Sequence, residues 1–312
     1  MNSLQSQLVL FLLKHRHWFR LKLKREPVDW NTSIPALRER AEKSTGIFGK
    51  LPPGIAALPV TINGLSAEWV RPVGTSDDRA ILYFHGGGYV MGSCRTHRAV
   101  VGKFVAGSQI GALIFDYRLA PEHPFPAALD DSIAAYTWLL AQGFSPARIV
   151  FAGDSAGGGL CLATLLALRD TGIELPAAAV VLSPWTDLKC TGNSYQRPDP
   201  LAPEGSWSVF SSYYVGQNDP AHPLISPLYG DLAGLPPLLL YVGEEESMLD
   251  DATQFAEKAR TAGVTVRIHI GKGMVHCYPA LSPLFPEASE AMDDICRFLH
   301  SSVLKDSGTE NS

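Results

Sequence analysis

Charged side chains are scarce in this chain. Only 18% of its 312 residues are Asp, Glu, Lys or Arg, where soluble domains usually carry about a quarter. The balance leans acidic, with 26 basic against 31 acidic groups and a net charge of −5. The bulk of the chain therefore lacks the basic surface on which a nucleic-acid partner would dock. Long apolar runs are missing too. The longest, Leu8–Leu13, has six residues, against the roughly twenty that cross a bilayer. A secretory leader is not indicated: Lys14, Arg16 and Arg20 follow the apolar stretch rather than precede it, and no A-x-A-like site comes after. Cysteine is sparse. Cys94, Cys161, Cys190, Cys277 and Cys296 are odd in number and form no CxxC pair, which argues against a disulfide framework or zinc site and for reduced thiols in the cytoplasm. There is no internal repeat and no low-complexity tract; residues 305–312 read as a disordered tail.

Apolar residues, by contrast, make up 46% of the chain, ample for a large core. The charge is unevenly spread. Residues 1–50 hold 10 basic and 4 acidic groups, a net of +6, which leaves 16 basic and 27 acidic groups, a net of −11, for residues 51–312. From Ala80 onward short apolar runs alternate with helical patterns. The runs are Ile81–Phe84, Ala112–Asp116, Ile149–Ala152, Ala178–Leu182, Leu238–Val242 and Val264–Ile270; most are continuously apolar, as in strands buried on both faces of a parallel sheet. Helical stretches fall at about Arg95–Gly107, Ala127–Gln142, Ala156–Asp170, Asp251–Ala262 and Pro286–His300. The pattern predicts a doubly wound α/β sheet with its site at the carboxyl ends of the strands. Two stretches break the rhythm: residues 1–55, and residues 189–236, rich in Pro, Gly and aromatics.

Two motifs carry chemistry. Gly153-Asp154-Ser155-Ala156-Gly157 is a G-x-S-x-G pentapeptide between an apolar run and a helical one. Its glycines relieve crowding on a tight strand-to-helix turn that exposes the serine oxygen. A phosphate loop would instead need G-K-[ST], which is absent. The second motif, His85-Gly86-Gly87-Gly88-Tyr89, follows Ile81–Phe84. Consecutive glycines bring backbone N–H groups close to a ligand. With the amide of Ala156, those of Gly86 and Gly87 would hold a developing oxyanion.

These two blocks, followed in order by Asp116-Tyr117-Arg118-Leu119-Ala120-Pro121-Glu122, Ser183-Pro184-Trp185-Thr186-Asp187 and Met274-Val275-His276, resemble the hormone-sensitive lipase family of α/β-hydrolase esterases, the bacterial family IV type. The resemblance runs from about Ala80 to Leu299. It implies an eight-stranded, mostly parallel sheet and hydrolysis of small-molecule carboxylic esters with short to medium acyl chains through an acyl-enzyme. No cofactor and no metal are implied. It also implies a helical cap formed by residues 1–55 and an insert at 189–225, with the catalytic core at 56–188 and 226–304, and a homodimer built through the last strand.

In this fold the triad runs Ser, acid, His. His276 sits in a glycine-flanked loop after the run Val264–Ile270, whereas His269 lies inside that run and His300 reads as a solvated residue ending the last helix. For the acid the family places Asp in a D-P-L-x-D pattern. Here the text is Glu246-Ser247-Met248-Leu249-Asp250, so Glu246 stands in the acid's place, with Asp250 (read as a helix cap) and Asp187 as alternatives; either carboxylate type can orient an imidazole. Arg118, Glu122, His123, Asp130 and Asp131 read as local braces of a proline-rich turn, and Cys277 as packing. Tyr89, which adjoins the glycine loop, is a candidate for the lining of the substrate pocket. Trp207, Phe210 and Tyr214, at i, i+3 and i+7, are either ordinary packing or the lining of a substrate pocket. The same triad could serve a lipase, or cleave an amide, a lactone or an acetylated small molecule. A non-catalytic binding protein of this fold would lose the histidine, which is present.

The basic N-terminus reads as a helix over 4–23, with Leu4, Leu8, Phe11, Leu12, Trp18, Phe19 and Leu23 on one face and Arg16, Arg20 and Lys24 opposite. Either this apolar stripe is buried over the site as part of the cap, or residues 1–25 dock transiently on an anionic lipid surface.

Overall fold

The computed structural model describes residues 3–14, 27–43, 50–74 and 78–304. The eight strands are β1 (Ile55–Ile62), β2 (Leu65–Pro72), β3 (Ala80–Phe84), β4 (Gly111–Phe115), β5 (Ile149–Asp154), β6 (Ala178–Leu182), β7 (Leu238–Gly243) and β8 (Val266–Gly271), in one sheet ordered β1-β2-β4-β3-β5-β6-β7-β8. From β4 to β8 all pairings are parallel; β2 joins β4 antiparallel, and β1 closes a hairpin on β2. β3, β4 and β6 are buried along their whole length, which is why they read as unbroken apolar runs. The hairpin escapes that reading because β1 and β2 are half exposed, with Pro59 inside β1.

Helices α3 (Cys94–Ser108) and α8 (Pro286–Val303) cover one face, and α4 (Ala127–Ala141), α5 (Ala156–Asp170) and α7 (Leu249–Thr261) the other. Sequence order reverses at β3, which has β4 on one side and β5 on the other. That switch point is where such sheets open a crevice at their carboxyl ends. Several expected bounds shift by one to three residues. β8 begins at Val266, not Val264; α7 begins at Leu249, and α8 runs three residues past His300. Asp250 therefore does not cap α7. It lies in the first turn and accepts the Ser194 N–H at 3.0 Å.

Two segments stand apart from the sheet. α2 (Ile34–Lys43) and the chain before it meet the 189–236 stretch, which carries α6 (Ser206–Val215). The Val28 N–H donates to the Glu204 carbonyl at 2.9 Å, and the Trp30 ring packs edge-on to Tyr213. Arg38 of α2 reaches the core, donating to the carbonyls of Val90 and Ala120 and to Glu122. Arg118 makes its ion pair with Asp131 at 2.8 Å.

α1 (Leu4–Lys14) corrects the buried-stripe expectation. It leans on α8 by burying Leu10 and by hydrogen bonds from Ser3 and Ser6 to Glu287, while Leu4, Leu8, Phe11 and Leu12 are exposed. The remainder of the expected 4–23 helix, from residue 15 on, lies outside the described residues, as does the 305–312 tail. Among the described residues no helix is long and apolar enough to cross a membrane, and all five cysteines are free thiols.

Candidate active site

Ser155 stands between β5 and α5 with φ 55° and ψ −123°. A side chain at positive φ is strained, and the surrounding contacts hold it there: the Ser155 N–H donates to the Leu182 carbonyl at 2.8 Å, and the Ser155 carbonyl accepts the Trp185 N–H at 3.0 Å. Glycine is required on both sides. A Cβ on Gly153 would sit 2.6 Å from the Gly157 carbonyl oxygen, and one on Gly157 would strike the carbonyls of Phe84 and His85. Ser155 is 7% exposed, at the edge of solvent.

His276 follows β8, and its Nδ1–H donates to Oε2 of Glu246 at 2.5 Å. Glu246 is buried and fully engaged: its Oε1 accepts the Ser183 hydroxyl at 2.7 Å and the Gly243 N–H at 2.5 Å. The alternative acids are taken up elsewhere. Asp187 accepts from the amides of Lys189 and Thr191, the Thr191 hydroxyl and Tyr229. Asp250 serves Ser194, and Glu244 accepts the Gly273 N–H. His300 is exposed, with Nδ1 at 3.1 Å from the Ser108 carbonyl. Burial alone would push the His276 imidazole down, but the Cys277 sulfur and the Glu246 carboxylate outweigh it and hold His276 well above the ordinary histidine range. Serine and histidine loops share an anchor: the Leu182 carbonyl accepts from Ser155 N–H and, at 3.6 Å, from the Cys277 thiol.

The glycine loop differs in one respect from the sequence reading. The Gly86 N–H is not free to face a substrate; it donates to Oδ1 of Asp154 at 3.1 Å. Gly87 (φ 119°) and Gly88 (φ 64°) turn away from ordinary L-residue geometry. Among the described residues the amides of Gly87, Gly88 and Ala156 meet no hydrogen-bond acceptor. The loop is braced by the Tyr117 hydroxyl, which donates to the His85 carbonyl at 2.8 Å, and by the His85 ring stacked on Tyr117.

The four aromatic pocket candidates divide. Tyr89 and Tyr214 stack on each other at 3.7 Å between centroids and are buried; Phe210 is buried against Gly88. These three are packing that seats the glycine loop. Trp207 alone lies open: it lines a cleft of about 810 Å³, with its ring 6.0 Å from that of His276. A second cavity, of about 270 Å³, is lined by Gly87, His97, Asp154, Leu201, His276 and Leu281, among others. Sequence reading passed over Asp154 and His97. Asp154 could have been noticed inside the pentapeptide; nothing local marks His97.

A parallel sheet reversing at β3, with a strained serine on the turn after β5 and a histidine–carboxylate pair after β7 and β8, defines an α/β-hydrolase. The model of a family described as alpha/beta hydrolase fold matches residues 81–280. An acetyl-hydrolase of Streptomyces hygroscopicus is 41% identical over 293 residues, covering 91% of this chain and 97% of that protein. An esterase of Acinetobacter venetianus is 35% identical, covering 88% and 91%. Among solved structures, that of the esterase EstE5 soaked with p-nitrophenyl butyrate superposes with a TM-score of 0.88 at 40% identity, covering 96% of this chain and 99% of that one. An esterase from the bacterial hormone-sensitive lipase family superposes at 0.87 with 39% identity, covering 97% and 99%. The chain belongs to the hormone-sensitive lipase family of the α/β-hydrolases.

Proposed function

We infer that this chain is a carboxylic ester hydrolase in which Ser155 is the nucleophile, His276 the general base and Glu246 the acid that orients it. The supporting observation is a strained, solvent-edge Ser155 and a His276 whose Nδ1–H is committed to Glu246 at 2.5 Å, on loops anchored to one Leu182 carbonyl. Oγ of Ser155 attacks the ester carbonyl carbon as its proton passes to Nε2 of His276. Glu246 stabilises the imidazolium that results. The tetrahedral oxygen takes hydrogen bonds from the amides of Gly87, Gly88 and Ala156, each such donor being worth about two to three powers of ten in rate. Collapse expels the alcohol with the proton from His276, and water releases the acid by the same route.

The N-terminal segment and the insert bearing α6 supply the walls over this centre, Ala41 and Leu201 on one cavity and Trp207 on the other. They act as the cap, and the substrates are esters of short to medium acyl chains. A fluorophosphonate probe tests the assignment: it should label Ser155 in the wild type, with p-nitrophenyl acetate hydrolysed, and both signals should vanish in Ser155→Ala. Hydrolysis surviving in that variant would overturn it.

The exposed Leu4, Leu8, Phe11 and Leu12 of α1 favour a second role, transient contact with a lipid surface that would bring poorly soluble esters to the site.

A further inference from the structure

Asp154, one residue before the proposed nucleophile, is largely buried among three groups. Its Oδ1 accepts the Tyr83 hydroxyl at 2.8 Å and the Gly86 N–H at 3.1 Å. Its Oδ2 faces Nε2 of His97 at 3.5 Å. Gly86 lies so close over the carboxylate that a Cβ there would collide with it. The carboxylate is thus the seat of the glycine loop, directly ahead of the amides of Gly87 and Gly88.

Both ring nitrogens of His97 have a use for a hydrogen. Nδ1 lies 2.8 Å from the Thr96 hydroxyl, which already accepts the Ser93 N–H at 2.8 Å and has the Ser93 carbonyl at 3.0 Å as an acceptor for its own proton. Nε2 faces Oδ2 of Asp154 at 3.5 Å, an ion pair when the ring is protonated. Its other neighbours agree. Glu42 of α2 adds negative charge nearby, and burial would lower His97 but Asp154 outweighs it, holding His97 above the ordinary range. The adjoining His85 ring, 5.3 Å away, stays neutral: burial and the charge of His97 push it down to about 3. Tyr83 donates to the same carboxylate, and His276 and Cys277 face His97 across the 270 Å³ cavity.

We propose that His97 is a positioning residue for ester hydrolysis: its positive charge neutralises Asp154, so that the carboxylate can hold the glycine loop by Gly86 without opposing the negative oxygen that forms beside Gly87. The proposal rests on the esterase reading above. A lone carboxylate in that place would repel the oxyanion in a medium of low dielectric, and breaking a buried pair leaves its charge uncompensated.

The sign of that effect separates it from a packing role. His97→Gln should lower kcat about 10- to 100-fold with KM within about threefold, the signature of an interaction made in the transition state. Affinity for a short alkyl boronic acid, which forms a tetrahedral anionic adduct on the serine oxygen, should weaken by the same factor. Asp154→Asn keeps an acceptor for Gly86 while removing the charge, so the double variant should regain about tenfold or more over His97→Gln. A merely structural role predicts a double variant no better than the single, and that result, or an unchanged kcat in His97→Gln, overturns the proposal. Should the variants not fold, imidazole nitrogen NMR of the wild type decides: His97 protonated on both nitrogens at neutral pH supports the pair, and a neutral His97 overturns it. Failure of the esterase reading would show separately, as wild-type protein that neither hydrolyses p-nitrophenyl acetate nor is labelled by fluorophosphonate.

Discussion

Ser183 and Glu246, 63 residues apart in the chain, meet at 2.7 Å, hydroxyl to carboxylate, and the same hydroxyl accepts the Cys277 N–H at 2.9 Å. One buried oxygen thereby positions both the acid and the loop that carries His276. Ser183→Ala should leave Glu246 Oε1 with the Gly243 N–H alone and strand the Cys277 amide, costing about one power of ten in kcat while the fold is kept, since an orphaned buried polar group typically costs about 1–3 kcal/mol. Steady-state kinetics on p-nitrophenyl acetate, with thermal unfolding as the control, measures this; an unaltered kcat would remove Ser183 from the site's support.

Glu246 sets the protonation of His276. Its carboxylate favours the imidazolium, so the base is neutral, and kcat/KM maximal, only above the raised pKa of His276. Replacing it by Gln removes that charge. Glu246→Gln should therefore move the acid limb of the kcat/KM profile to lower pH and reduce the plateau by several powers of ten, about 10⁴ where a serine triad loses its acid. A limb that stays in place would assign the acid's role elsewhere.

The 270 Å³ cavity beside Gly87 and His276 is lined in part by Leu201 and Leu281. At the roughly 30 Å³ that a water-sized group occupies, it has room for about nine such groups. Rates across p-nitrophenyl esters should accordingly fall beyond about eight acyl carbons. Leu201→Ala should extend that limit with little change on the acetate. An identical chain-length profile in wild type and variant would place the acyl group in the larger cleft.

α1 offers a test that spares the chemistry. Leu8→Glu combined with Phe11→Glu alters only exposed positions, so hydrolysis of soluble esters should hold within about twofold, surface substitutions being worth about ±0.5 kcal/mol. Co-sedimentation of the full chain with anionic phospholipid vesicles should drop several-fold. Equal sedimentation of both proteins would dismiss a lipid-contact role for this helix.

Much of the core was legible because its signals are local. β3, β4, β5, β6 and β7 each show as a run buried on both faces, and the strand–turn–helix around Ser155 carries its glycines beside it. The β1–β2 hairpin was not legible, since half-exposed strands interleave polar residues and Pro59. The stripe Trp207, Phe210, Tyr214 reads alike for packing and lining. Phe210 fills the space over Gly88, Tyr214 stacks on Tyr89, and only Trp207 remains at the cleft.

The amino-acid sequence by itself determined the α/β class, the serine on its turn and the histidine after the last strand, because periodicity and short motifs are written in neighbouring residues. The tertiary structure decided which carboxylate meets His276, which amide of the glycine loop is already spent, and what faces Asp154. Glu246 and His276 are 30 residues apart, and Gly86 and Asp154 are 68 apart. A hydrogen bond needs its atoms within about 3 Å, and over such separations only the packing of strands and helices brings them there.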